Sequence, residues 1–196
     1  MKKVIRVCMA LALVLIMAGC SNGKQANSKT ESNTASSSSA QKSPAKKAAP
    51  VINWRKSSEN KPYPTITNQN GRYLRVSIKK QRVYVMSAKN KVLYTMYAST
   101  GKDDSTPKGN FKIQSERGDF FFNQESKEGA KYWTSFKDHG IYLFHTVPTN
   151  SKGQYIKSEA KQLGKSANSH GCVRLSVPDA KWMNQTVPVG TKVVIR

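Results

Sequence analysis

The sequence has little cysteine, no long apolar run and few acidic residues. Its three cysteines, at positions 8, 20 and 172 of 196, are too few and too scattered for a disulfide scaffold. No apolar stretch reaches the ~18–20 residues that a stable membrane span requires. Only 11 acidic residues stand against 33 Lys and Arg, so the formal net charge is +22. The length favours one domain with appendages.

The N-terminus has the pattern of an export signal. Lys2, Lys3 and Arg6 precede an apolar run over residues 7–17, and small residues follow it. This order of positive charge, apolar segment and small residues is typical of a secretory signal peptide. We therefore predict that residues 1–19 are removed and do not belong to the fold.

Cys20 follows the predicted signal directly. The segment 16–20, Ile-Met-Ala-Gly-Cys, resembles a bacterial lipobox, in which the cysteine is lipidated and becomes the mature N-terminus. A plain signal peptide that happens to contain a cysteine is the alternative. We predict a lipoprotein signal at residues 1–19 and an anchor on Cys20, which would hold the protein at the outer face of the cytoplasmic membrane, facing the cell wall.

Residues 20–70 are predicted to form a flexible tether. Residues 21–50 are rich in Ser, Asn, Lys and Ala and contain no aromatic residue, so they cannot bury enough apolar area to offset the entropy of ordering. A flexible chain of this length reaches about 30 Å. Residues 51–70 are transitional, because Trp54 and Tyr63 could pack on the domain while two prolines prevent regular structure.

The positive charge is divided between the tether and the domain. Residues 20–70 carry +6 and residues 71–196 carry +13. Because both parts are predicted to lie outside the membrane, the expected anionic partners are lipid head groups and wall polymers, not nucleic acid.

Residues 71–196 are predicted to form a mainly β domain, a sandwich or partly open barrel with two short helices. Apolar residues alternate with period two over several segments, which indicates strands. The first helix is predicted at 159–163 with Ser158 as its cap, and the second is capped by Ser176 and runs to Asn184. The predicted strands lie near residues 74–78, 83–85, 92–96, 110–113, 141–145 and 192–195.

Cys172 is the candidate nucleophile. It has no partner in the mature domain for an internal disulfide, and its neighbours over 169–174, Ser-His-Gly-Cys-Val-Arg, are polar and cationic. Such neighbours are expected to lower the pKa of a thiol. The alternative is a buried structural cysteine that behaves as a small hydrophobe.

A nucleophilic cysteine needs a base. His145 ends an apolar strand and is distant in sequence, so the fold could place it opposite the thiol, whereas His170 is the candidate positioning group. A hydrogen-bonded core histidine is the alternative for His145. His139 is predicted to lie on the surface. His145, His170 and Cys172 could in principle bind zinc, but no CxxC or HExxH supports this, and no metal or cofactor is predicted.

The motif Ser-His-Gly-Cys-Val-Arg-Leu at 169–175, preceded by a strand that ends at His145, closely resembles the signature of L,D-transpeptidases of the YkuD type. Segments 95–101, 105–111 and 187–195 are also similar to this family, and the resemblance covers about residues 73–196. It implies a YkuD-like β-sandwich, preceded here by a signal peptide and a disordered linker.

The resemblance also implies acyl transfer on peptidoglycan stem peptides, with 3→3 crosslinks formed through a thioester. It makes Cys172 the nucleophile and His145 the base, oriented by the carbonyl of Thr146. Gly171 and Cys172 would supply oxyanion donors. His170 would position the site, and the implied substrate contacts are Ser169, Arg174 and Tyr142. An L,D-carboxypeptidase or endopeptidase with the same site, or a non-catalytic wall-binding lipoprotein, is the alternative; a monomer is expected.

Overall fold

The computed structural model describes residues 51–196, in which alternating apolar side chains build a mainly β domain. In the first strand, for example, Leu74 and Val76 are fully buried while their neighbours are partly exposed. The strands are β1 (Tyr73–Ser77), β2 (Arg82–Met86), β3 (Val92–Ser99), β4 (Gly109–Lys112), β5 (Arg117–Asn123), β6 (Glu128–Lys137), β7 (Tyr142–Thr146), β8 (Val173–Leu175) and β9 (Lys192–Ile195). The helices are α1 (Lys157–Ala160) and α2 (Val177–Thr186), with a 3₁₀ turn at Lys102–Asp104.

The nine strands form one curled sheet in the order β4-β9-β1-β2-β3-β8-β7-β6-β5. The β1–β9 and β7–β8 pairs are parallel and the other pairs are antiparallel. Both halves of the sheet contribute to one apolar core, which α2 also contacts through Met183. The predicted mainly β fold is confirmed, although strands β5, β6 and β8 were not predicted from the sequence.

The two helices differ in how well the sequence located them. Ser176 caps α2 as predicted, since its Oγ accepts a hydrogen bond of 3.2 Å from the N–H of Asp179. The prediction for α1 was wrong, because the helix is a single turn that contains Ser158 and has no side-chain cap. Its start is fixed by tertiary structure, as the N–H of Ile156 donates to the carbonyl of Pro148.

Residues 51–70 pack against the domain, so the folded unit begins before the predicted boundary at residue 71. Trp54 is 6% exposed, and the ring of Tyr63 stacks on that of Trp182 with centroids 5.0 Å apart. Side-chain oxygens of Ser58 and Glu59 accept hydrogen bonds from backbone N–H groups of β3, at the edge that β8 leaves unpaired. The packing of Trp54 and Tyr63 is therefore what removes this segment from the tether.

The predicted signal at residues 1–19, the lipidated Cys20 and the polar tether over 21–50 lie outside the described residues. Within residues 51–196, none of the helices is long and apolar enough to cross a membrane.

Candidate active site

The parallel pairing of β7 and β8 brings His145 and Cys172 to the same face of the sheet. Phe144 lies opposite Val173 and both are core residues, so the register places His145 opposite Arg174 on the other face. Cys172 immediately precedes β8 and shares that face by the same alternation. Both side chains line one cavity.

This cavity has a volume of about 360 Å³. The hairpin of β5 and β6 forms one wall, and the loop before β8 forms another. The lining residues are Phe121, Asn123, Ser126, Glu128, Gly129, Trp133, Gly140, Ile141, Leu143, His145, Pro148, Ser169, His170, Cys172 and Arg174. Residues from both ends of the sequence motif and from an unpredicted hairpin thus meet at one opening.

His145 is held in a single orientation. Its Nδ1 lies 2.6 Å from the carbonyl oxygen of Thr146, and because a carbonyl only accepts, Nδ1 carries the proton and Nε2 is left as an acceptor. The side chain is only 6% exposed, and the ring of Phe121 packs edge-on at 5.7 Å. Burial, together with the charge of Arg174, lowers the pKa of His145 to about 4, so the imidazole is neutral at neutral pH.

Cys172 is a free thiol that is partly buried. Its Sγ lies 3.6 Å from the carbonyl oxygen of Ile141 and can donate to it. Burial raises the pKa of Cys172 to about 11, and the opposing effects of the Leu143 N–H and of Arg174 are smaller. The expectation that cationic neighbours would lower this pKa is therefore wrong for the free protein, because desolvation outweighs the charge of Arg174.

Ser169 fixes the loop that carries the thiol. Its Oγ donates to the carbonyl of Cys172 at 2.5 Å and accepts from the N–H of Gly171 at 3.1 Å. Gly171 has a φ of +134°, and a Cβ there would lie 3.0 Å from the ring of Tyr142 and 3.2 Å from the carbonyl oxygen of Ser105. Glycine is therefore required at this position. Within the part of the chain that the structure describes, the N–H of Cys172 has no hydrogen-bond acceptor.

Arg174 is a buried cation shared by two carboxylates. The residue is 2% exposed, with Nη1 2.8 Å from Glu159 and Nη2 2.7 Å from Glu128. Glu128 also lies 3.7 Å from Nδ1 of the exposed His170. The two carboxylates, which sequence reasoning missed, join the starts of β6 and α1 to β8 behind the cavity. Because Glu128 and Glu159 occupy both Nη atoms, Arg174 supports the site from within the protein.

Thr106 is a second residue that sequence reasoning did not single out. Its buried Oγ1 accepts a hydrogen bond of 2.7 Å from the N–H of Gly101 and donates to the carbonyl of Gly171 at 2.9 Å. Thr106 belongs to the Thr-Pro-Lys-Gly segment of the family resemblance, and that motif is the signal that could have identified it. The hydroxyl ties this segment to the loop before Cys172.

The remaining predicted residues lie around the site and not in it. Tyr142 packs beneath Gly171, and the hydroxyl of Thr146 accepts from the N–H of Lys131, but neither is among the cavity-lining residues of the described chain. His139 lies on the surface as predicted, with Nδ1 2.7 Å from Glu116. Within residues 51–196, no three His, Cys, Asp or Glu side chains are grouped as metal ligands.

Comparison with known proteins identifies relatives of the whole domain. The family model described as the L,D-transpeptidase catalytic domain (YkuD) matches residues 71–195. A Bacillus subtilis (strain 168) protein named "Putative L,D-transpeptidase YciB" is 46% identical over 154 residues, which cover 76% of this chain and 77% of that protein.

Solved structures are similar in fold. The L,D-transpeptidase from Mycobacterium smegmatis aligns with a TM-score of 0.52 at 19% identity, covering 64% of this chain and 58% of that one. An L,D-transpeptidase from Mycobacterium tuberculosis H37Rv gives a TM-score of 0.51 at 21% identity, covering 64% and 57%. This chain thus spans less than two thirds of either solved chain, and the likeness concerns the fold.

Proposed function

Since the chain belongs to the family of L,D-transpeptidases with a YkuD-type catalytic domain, acyltransferases that act on peptidoglycan peptides, we propose that it forms 3→3 crosslinks between stem peptides through a thioester on Cys172. The observation that carries this proposal is the meeting of His145 and Cys172 in one cavity, with Nε2 of His145 left as a proton acceptor. A pure binding module has no need of this pairing.

In the first half-reaction, Cys172 attacks the carbonyl carbon of the third stem residue. Because the thiol has a raised pKa and the imidazole a lowered one, the resting pair is uncharged, and the thiol proton passes to Nε2 of His145 as the S–C bond forms. The tetrahedral intermediate then expels the terminal D-alanine. Its leaving nitrogen takes the proton from His145, and a thioester remains.

In the second half-reaction, a side-chain amine of another stem attacks the thioester. His145 takes a proton from this amine, the C–S bond breaks, and the proton returns to the sulfur. The product is a new amide between two third residues, and the enzyme is restored. With water in place of the amine, the same steps give L,D-carboxypeptidase activity.

Stabilisation of the oxyanion is the main electrostatic demand of both steps. The N–H of Cys172 is the proposed donor, because that of Gly171 already donates to Ser169. Ser169 would keep the loop rigid, and the exposed His170 at the cavity wall would contact the substrate. The carbonyl of Thr146 would keep Nδ1 of His145 protonated through both half-reactions.

The place of action follows from the same premise. An enzyme of peptidoglycan works outside the cytoplasmic membrane, and we propose that Cys20 carries the lipid that holds it there. The tether would then let the domain reach about 30 Å towards the wall.

The proposal is tested with purified protein and peptidoglycan fragments that carry tetrapeptide stems. We expect release of D-alanine, 3→3 dimers in the mass spectrum and a covalent carbapenem adduct in the intact mass. Cys172→Ala should abolish all three, and His145→Gln should lower turnover by roughly 10²- to 10⁴-fold.

His139→Gln is the matched control, because His139 is an exposed histidine that does not line the cavity, and it should keep full activity. Dimers or an adduct formed by Cys172→Ala would contradict the proposal. Monomeric tripeptide as the sole product would identify an L,D-carboxypeptidase, and cleavage of existing crosslinks an endopeptidase. Binding to the wall with no covalent change would identify a non-catalytic lipoprotein.

A further inference from the structure

The charge of the domain is unevenly distributed over the sheet. Residues 71–102, 105–115 and 187–196 hold strands β1 to β4 and β9, and they contain 12 Lys and Arg but no Asp or Glu. The other residues from 103 to 186, which hold the cavity, contain ten basic and nine acidic residues. Nearly all of the net charge of +13 is therefore on the half of the sheet that lies away from the cavity.

Four of these cations project from the outer surface of the sheet, which we call the basic face: Arg75, Arg82, Lys112 and Lys192. Alternation places Arg75 outward, because Leu74 and Val76 on either side of it are fully buried. Lys112 and Lys192 are direct register partners on β4 and β9, and both are exposed. Like charges placed directly opposite each other destabilise a sheet, so this pair is costly unless an anion binds to it.

Aromatic rings hold these cations along the sheet without neutralising them. The guanidinium groups of Arg75 and Arg82 lie 4.9 and 4.4 Å from the ring centroids of neighbouring tyrosines, and Nζ of Lys192 lies 5.4 Å from the ring of Tyr73. Among the 12 cations of this half, Lys108 is the one that has a carboxylate partner within the described residues. The basic face thus presents ordered and uncompensated positive charge.

An open groove of about 580 Å³ adjoins this face, where β4 and β9 meet, and Lys108, Asn110, Val194 and Arg196 are among its lining residues. We propose that the basic face binds a linear phosphodiester polymer of the cell envelope. Adjacent strands space the cations about 4.8 Å apart, and alternate residues along a strand about 6.6 Å apart. A flexible chain with one charge per repeat can follow such a row, and Lys and Arg both bind phosphate oxygens.

A membrane surface fits this face less well. The exposed large apolar residues of this half are Val92 and Val189, and no exposed Phe, Trp or Leu is available for insertion among acyl chains. The face also shares no residue with the active-site cavity. Polymer and stem peptide can therefore bind together, and the proposal does not depend on catalysis by Cys172.

The test measures binding of fluorescently labelled poly(glycerol phosphate) to the purified full chain over a range of NaCl concentrations. Lys112→Gln/Lys192→Gln is the test variant, and Lys161→Gln/Lys165→Gln removes the same charge from exposed positions elsewhere. We expect the test variant to bind at least 10-fold more weakly. The slope of log K against log salt should fall by about 1.4, at about 0.7 per contact in a single-stranded polyanion.

The control variant, and also Cys172→Ala, should bind as the native chain does. Equal weakening by both double variants would overturn the proposal, because bulk charge would then explain binding. Equally tight binding of polyglutamate of matched charge, or of vesicles with anionic phospholipid, would overturn the choice of a phosphodiester polymer. Should the test variant not fold, Lys112→Gln alone is expected to lower the slope by about 0.7.

Discussion

Replacing Arg174 with Met removes the cation that joins three segments behind the cavity. Removing one partner of a buried ion pair costs about 3–5 kcal/mol, because the remaining charge is left uncompensated. The side chain of Arg174 is 3% exposed, but those of Glu128 and Glu159 are 23% and 30% exposed, so water can partly solvate them. We therefore expect a loss near 3 kcal/mol in the free energy of unfolding. For a domain of this size the melting temperature should fall by about 10 °C.

The same substitution should change the pH dependence of the reaction. The charge of Arg174 lowers the pKa of both His145 and Cys172, so its removal raises both. For the native protein, kcat/KM should lose activity on the acid side near pH 4, where His145 becomes protonated. In Arg174→Met this acid limb should move towards pH 6.5, and the variant should lose more activity at pH 5 than at pH 7.

Arg117→Met is the matched control. Arg117 is a partly buried arginine whose Nη1 donates to the carbonyl oxygens of Asn184 and Val187, and it does not line the cavity. Its loss should cost about 1–2 kcal/mol and leave the acid limb in place. Urea unfolding and release of D-alanine between pH 3.5 and 8 measure both effects. A loss under 1 kcal/mol in Arg174→Met, with an unmoved acid limb, would refute the reasoning.

Three further outcomes are expected. Thr106→Val, which removes the bridge between two loop glycines, should lower kcat/KM by about 10- to 100-fold, because the loop that carries the thiol loses its fixed position. Lys192→Glu should raise the free energy of unfolding by about 0.2–1 kcal/mol, measured in urea, because it replaces a like-charge pair with Lys112. Between pH 6.5 and pH 4, unfolded His145 binds a proton that the folded protein does not, so stability should fall as pH falls, by up to about 1.4 kcal/mol per unit; His145→Gln should remove this slope.

The strands that the sequence revealed are those with one face in the core. β1, β2 and β9 alternate between core and surface, and alternation is visible without a structure. The hairpin of β5 and β6 carries Phe121 and Trp133 into the cavity wall and not into the core, so its apolar pattern is irregular. β8 was missed because Arg174, buried by its ion pairs, hides the alternation of a strand of only three residues.

The candidate site was predictable where chemistry is carried by reactive residue types. Cys172 and His145 were identified from local context, and the structure places both in one cavity; their catalytic roles remain predictions. Glu128 and Glu159 gave no local signal, because a surface carboxylate and a partner of a buried cation look alike in sequence. The pKa of Cys172 was misjudged for a related reason, since burial is a tertiary property.

The pairing of the first strand with the last has a consequence for how the domain folds. β1 and β9 are hydrogen-bonded neighbours, with Leu74 opposite Val193, although 118 residues separate them in the chain. β4 pairs with β9 alone, so it too must wait for the C-terminal residues. Such non-local contacts slow folding, and half of the sheet can close only after synthesis of the whole domain. Loss of residues 192–196 should therefore prevent the entire basic half from folding, although the active-site residues would all still be present in the chain.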